Sequence, residues 1–165
     1  MTKVALEGFG WVYIILVLDW YSKKIVGHYA GIQGKAKHWL EALSKALNQQ
    51  FPEGIREQTY PLNLMSDNGS QPTSVSFVKT CSELGINQAF TSYNNPKGNA
   101  DTERVIRTLK EELVWTNEWR SPKEFFDKLA CWVEYYNSDY LHSSLQYKTP
   151  VQFETEANKI LLAVA

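Results

Sequence analysis

Asp67 and Glu103 are the two side chains whose type and setting could do chemistry together. The first lies in Leu64-Met65-Ser66-Asp67-Asn68-Gly69-Ser70-Gln71, the second in Lys97-Gly98-Asn99-Ala100-Asp101-Thr102-Glu103, and 35 residues separate them. Carboxylates are hard oxygen donors of the kind that suits Mg²⁺ or Mn²⁺. A lone surface Asp or Glu is ordinarily only solvated, so the weight rests on what surrounds the pair. Leu62 to Met65 reads as a short buried strand that delivers Asp67 at its C-terminal end, where open α/β sheets place ligands. Asn99 to about Trp115 reads as a helix carrying Glu103. At about 100° per residue, Glu103, Arg107 and Lys110 fall within about 60° of one another, and Val105, Ile106, Leu109 and Leu113 form the opposite, apolar stripe. The face thus offers a carboxylate with two cations beside it; its ordinary reading is a solvated face with Glu103 and Arg107 as an i,i+4 pair.

The elements that must position these residues can be read from pattern. A stub at Val4 to Leu6, an aromatic and β-branched run from Trp11 to Leu18, and Lys24 to Ile32 predict an antiparallel meander of three strands. Trp39, Leu40, Leu43, Ala46 and Leu47 recur at helical spacing between Lys35 and Gln49, and the helix stops near Phe51-Pro52. Ser74 to Leu84 reads as a helix with Phe77, Val78, Cys81 and Leu84 on one face and Gly85 as its stop, with a strand from Asn87 to Phe90 after it. Thr91 to Gly98 is a polar Gly/Pro/Asn loop. Ser121-Pro122-Lys123-Glu124 is a capping-box signature opening a further helix to about Tyr136.

Together, Ser-Asp-Asn-Gly-Ser-Gln, the 35-residue gap and Asn-Ala-Asp-Thr-Glu resemble the catalytic core of the DDE transposases and retroviral-type integrases, closest to the bacterial insertion-sequence branch. The tail agrees: Tyr136-Asn137, His142, Leu145 and Thr149-Pro150 match that branch, with Tyr140 where it usually has Arg and Pro72 where it usually has an aromatic. The resemblance covers Met1 to about Glu156. It implies a ribonuclease-H-like α/β fold with a mixed five-stranded sheet flanked by helices, a core over residues 1–156 lacking the start of its first strand, and a helical tail over 157–165. It further implies a metal-dependent polynucleotidyl transferase that cuts and joins DNA. Asp67 and Glu103 would be both its catalytic and its metal-binding residues, with two Mg²⁺ or Mn²⁺ ions in the complete site. Lys110, seven residues after the Glu, is implied as a DNA contact, with Arg107 and Asn68 beside it.

The family's third carboxylate, its first Asp, falls one position ahead of Met1 in this register. The chain is therefore expected to be weakly active or inactive; the alternative is a non-catalytic relic that binds DNA or self-associates. If Glu7 to Gly10 closes a hairpin, a residue ahead of Met1 would pair near Val17 or Leu18. That leaves Asp19 as the nearby acid, expected to serve strand-end or turn hydrogen bonding.

Composition bounds the rest. A chain of 165 residues with 44% apolar and 13% aromatic content supports one globular domain with a sizeable core. Its longest apolar run, Trp11 to Leu18, is too short to span a bilayer. Cys81 and Cys131 fit no metal spacing and are expected to be reduced core residues of a cytoplasmic, bacterial protein that joins the nucleoid when bound to DNA. A net charge of −1 predicts weak DNA binding by the domain alone. The expected partners are DNA, as transposon ends and target, and a second copy of the chain, with Trp115, Trp119 and Trp132 as possible dimer anchors.

Overall fold

In a computed structural model of the protein, residues 1–55, 60–91 and 100–164 are described, with side chains as far as Lys159. The expected loop beyond Thr91, and Asn99 at the expected start of the next helix, lie outside the described residues. Strands β1 (Thr2–Leu6), β2 (Gly10–Leu18) and β3 (Ile25–Gly31) form the expected antiparallel meander. Next come helix α1 (Ala36–Gln50), strand β4 (Asn63–Ser66), helix α2 (Val75–Glu83) and strand β5 (Asn87–Phe90). The chain then runs through α3 (Ala100–Leu109), α4 (Pro122–Ser138) and α5 (Pro150–Val164). Helix α5 is continuous across residues 156 and 157. No described helix is long and apolar enough to cross a membrane.

Side-chain alternation along β2 splits the core into two layers. Val12 and Ile14 join Val4 and Leu6 of β1 against Val105 and Leu109 of α3 and Phe125, Leu129 and Trp132 of α4. On the other side, Leu43 of α1 packs with Phe77 and Cys81 of α2 and with Ile86. Helix α1 can lie this close to the meander because Gly27 has no side chain: a Cβ there would stand 2.4 Å from the Ala42 carbonyl oxygen. Val78, expected on the buried face of α2, is 42% exposed, because Phe77 and Cys81 alone fill the narrow contact with α1. Cys131 also departs from expectation. Cys81 is buried, its thiol pushed up to about 11 by desolvation, whereas Cys131 lies on the solvent side of α4 and is exposed.

The expected single five-stranded sheet is divided. All five strands form, but β1-β2-β3 make one sheet and β4-β5 a separate parallel pair. In the β1–β2 ladder Thr2 stands opposite Ile14, and Leu16, Val17 and Leu18 pair with β3 on their other edge. A residue ahead of Met1 would stand opposite Leu16, not Val17 or Leu18.

The tail motif acts through the backbone. Asn137, buried at the end of α4, accepts the Ile25 N–H at 2.8 Å and donates to the Ile25 carbonyl at 2.9 Å, standing in for a strand at the edge of β3. Thr149 and Gln152 form a reciprocal capping box around Pro150: the Gln152 N–H donates to Thr149 Oγ1 at 3.2 Å and the Thr149 N–H to Gln152 Oε1 at 3.1 Å. Asn137→Ala removes the side-chain partner of both backbone polar groups of buried Ile25, at about 1–3 kcal/mol per group. We expect it to lower the unfolding free energy by about 2–4 kcal/mol in urea titration; a loss below about 0.5 kcal/mol would show that water replaces the amide freely.

Candidate active site

Asp67 sits one residue past β4, immediately beyond the bond from the Thr91 N–H to the Ser66 carbonyl that extends the β4–β5 ladder. Its Oδ1 accepts the Gly69 N–H at 3.0 Å, an Asx turn that fixes the carboxylate at the strand end. A Cβ at position 69 would lie 2.8 Å from that oxygen, so glycine is what lets the carboxylate settle there. Asn68 donates from Nδ2 to the Thr91 carbonyl at 2.8 Å, tying the turn to the end of β5.

Glu103 occupies the first turn of α3, where the helix N-terminus favours negative charge. It is exposed and makes no salt bridge among the described residues. Its neighbour Thr102 and Asp67 line the same cavity of about 460 Å³, which Met1 lines as well. Asp101, in the same turn of α3, accepts a hydrogen bond from Lys23 at 2.7 Å, which ties the helix start to the β2–β3 turn. Asp19 is consumed in that turn, as expected: its carboxylate accepts the Ser22 N–H at 2.9 Å and the Ser22 hydroxyl at 2.5 Å.

Helix α3 buries the expected stripe, with Val105, Leu109 and Leu113 in the core and Ile106 half-buried. Past Leu109 the helix departs from the regular form read from its residue pattern. Lys110 to Val114 form a π turn, closed by the Trp115 N–H donating to the Lys110 carbonyl at 2.9 Å. The extra residue puts Val114 in the core beside Leu113 and turns Glu112 to accept the Trp132 indole N–H at 2.9 Å. Leu109 therefore ends the regular α-helix, and Lys110, seven residues after Glu103, opens the π turn. Arg107 pairs with Glu111 at 2.7 Å instead of Glu103, which raises the guanidinium pKa. Of the expected dimer anchors, Trp132 is a core residue, 6% exposed, and half-buried Trp119 packs edge-on against Phe125 at 4.9 Å. Trp115 stands 68% exposed.

Asp67 and Glu103 match a divalent cation in donor type. In number they fall short: no three acidic, histidine or cysteine side chains converge to hold an ion among the described residues.

Most of the chain matches integrase core domain models, one over residues 1–96 and a second over residues 84–150. The chain belongs to the integrase core domain family. It is 30% identical over 146 residues to the transposase for insertion sequence element IS904 of Lactococcus lactis subsp. lactis, covering 88% of this chain and 55% of that protein. Among solved structures it is similar to the catalytic core domain of BIV integrase, with a TM-score of 0.58, 20% identity and coverage of 97% of this chain and 95% of that one. It is also similar to the HTLV-2 integrase catalytic core domain in complex with magnesium, with a TM-score of 0.61, 16% identity and coverage of 92% and 89%. The fold is thus ribonuclease-H-like. The chain spans about half the length of the curated relatives it matches.

His142 closes the region behind α3. Its ring lies edge-on to Tyr136 and to Tyr140, each at 5.0 Å, and its buried Nε2 has no hydrogen-bond partner among the described residues. Burial first, then the charges of Arg104 and Lys23, hold its pKa below the ordinary histidine value. The unfolded chain therefore binds the extra proton more readily, so the stability tied to the neutral ring is complete above the ordinary histidine pKa and falls as pH drops through it toward the folded value. His142→Phe should lessen the drop in urea midpoint between about pH 7.5 and about pH 5.5 relative to the unsubstituted protein. An unchanged drop would assign the acid sensitivity elsewhere.

Proposed function

We propose that this chain is the catalytic core of an insertion-sequence transposase, cutting and joining DNA strands at a divalent-metal site built on Asp67 and Glu103. The observation that carries the reading is the meeting of the Asp67 turn and the first turn of α3 on one cavity. When bound, a pair of Mg²⁺ or Mn²⁺ ions supplies Lewis-acid stabilisation of the phosphate and an activated oxygen nucleophile. The protein's own residues bind and orient. Asp67 presents its carboxylate from a turn locked by Gly69, and Glu103 presents its own from a rigid helix. Lys110 and Arg107 lie along the same side of α3 and attract the phosphate backbone, and Asn68 adds a polar contact at the turn. DNA, as element ends and target, is the substrate. A second copy of the chain brings in the other end, with exposed Trp115 as a candidate anchor. The working compartment in this reading is the bacterial cytoplasm, on the nucleoid.

Two carboxylates hold a metal pair less well than three, and among the described residues no third acidic side chain joins Asp67 and Glu103. A residue ahead of Met1 would stand opposite Leu16, on the side of the sheet that faces α3. The same shortfall favours a second reading, a folded non-catalytic module that binds DNA or self-associates.

Mn²⁺-dependent nicking of element-end oligonucleotides separates the two. We expect slow nicking by the chain, a gain of several orders of magnitude when an Asp is placed directly ahead of Met1, and its loss in Asp67→Asn or Glu103→Gln on that background. Gly69→Ala should weaken nicking about tenfold or more with the fold retained, through displacement of the Asp67 carboxylate. No nicking with the added Asp, with DNA binding retained, would leave the non-catalytic module.

A further inference from the structure

The β2–β3 turn is braced more heavily than a chain reversal requires. The Asp19 N–H donates to the Lys24 carbonyl at 2.9 Å, the Ser22 N–H and hydroxyl both donate to the Asp19 carboxylate, and Ser22 is fully buried. Between Ser22 and Lys24, Lys23 is held at a φ of 59°, in the left-handed region. Glycine occupies that region without steric cost and lysine does not. A strained residue persists only where its surroundings over-determine it, and such residues gather where the strain serves a function. At Lys23 the function has to lie in the side chain, because a glycine would make the turn more easily.

The two lysines of the turn leave it for different elements. Lys24 pairs with Glu154 of α5 at 2.5 Å, and Tyr21 packs on Phe153 of the same helix with ring centroids 5.2 Å apart. Lys23 reaches instead across 78 positions of sequence to Asp101, in the first turn of α3, at 2.7 Å. That turn carries Glu103 and is the least supported part of its helix. Its leading N–H groups have no intrahelical acceptors, and the first core residue of α3 is Val105, with none of residues 100–104 buried. Among the described residues, the Lys23–Asp101 pair is the only side-chain hydrogen bond or ion pair that joins 100–104 to another element. The i,i+4 pairs on the helix surfaces stand in solvent, whereas the Lys23 side chain is 19% exposed and its charge is screened less.

We propose that Lys23 is a positioning residue: its ammonium clamps Asp101, keeps the first turn of α3 wound, and so fixes the carboxylate of Glu103. The β2–β3 turn is then a bracket, fastened to α5 by Lys24 and to α3 by Lys23. The bearing of this clamp on metal rests on the catalytic reading of Glu103; the clamp itself is read without metal.

Three variants separate the charge from the backbone. Lys23→Met keeps the aliphatic stem and the left-handed strain but removes the ammonium, Lys23→Gly removes the strain as well, and Lys23→Arg keeps a cation. Amide hydrogen exchange of the 165-residue chain without metal reads the clamp. We expect exchange at Arg104, Val105 and Ile106 to quicken about three- to tenfold in Lys23→Met and Lys23→Gly, with no change at Leu109, and to stay slow in Lys23→Arg. The urea midpoint of Lys23→Gly should match or exceed that of the unsubstituted chain, so that site order and global stability part company. Mn²⁺ broadening of the Glu103 amide signal should weaken in Lys23→Met while that of Gly69 remains. Unchanged exchange in Lys23→Met, a quickening spread evenly over the chain, or Glu103 broadening that survives the quickened exchange would each overturn the proposal. Absence of Mn²⁺ broadening at Glu103 in the unsubstituted chain would count against the metal reading instead, with the exchange rates still deciding the clamp.

Discussion

The rotation of α3 about its own axis is the constraint that sets the candidate site. A helix with one apolar stripe has one way to bury it, and Val105, Leu109 and Leu113 go down onto Val4, Leu6, Val12 and Ile14 of the meander. Each fully buried aliphatic side chain contributes about 1.5–3 kcal/mol, so turning the stripe outward would cost more than any surface contact could return. Glu103 is thereby held on the outer side of the helix, next to Thr102 at the cavity rim. The ion pair between Asp101 and Lys23 adds an anchor at the helix start, and the bond between Glu112 and Trp132 holds the π turn at its far end.

Asp67 is positioned by different means. Its place depends on where β4 stops, and its direction on a turn that only a glycine at position 69 accommodates without moving the carboxylate. The two acids thus rest on independent supports, a strand end and a helix start, with no hydrogen bond between them among the described residues. Met1 and the end of β2 line the same cavity as Asp67.

Much of this was legible in the sequence, for identifiable reasons. Period-two and period-3.6 patterns are produced by the same burial that builds the layers, so the meander, α1, α2 and the buried face of α3 could be read from residue types. The place of Asp67 at a strand end was legible because a short apolar run stops just before it. Three features were not. The π turn leaves no period of its own over five residues, so Lys110 to Val114 read as ordinary helix. The separation of the β4–β5 pair from the meander is a matter of long-range pairing, which the residue types of the strands do not report. The buried pairing of Asn137 with Ile25 joins positions 112 apart in sequence, which no local pattern reports. Trp119 and Trp132 illustrate the same limit, since an aromatic at helical spacing serves core or interface equally well until the neighbouring layer is known.

The functional reading turns on whether Asp67 and Glu103 act on one divalent cation site. Paramagnetic broadening by Mn²⁺, monitored on the backbone amide signals of the isotopically labelled chain, addresses this without relying on turnover. The amides of Gly69 and Glu103 should broaden together at the same substoichiometric Mn²⁺ concentration, ahead of amides near other surface acids such as Glu53 and Glu118. Broadening of one without the other, or an even loss across all acidic surfaces, would contradict a shared site.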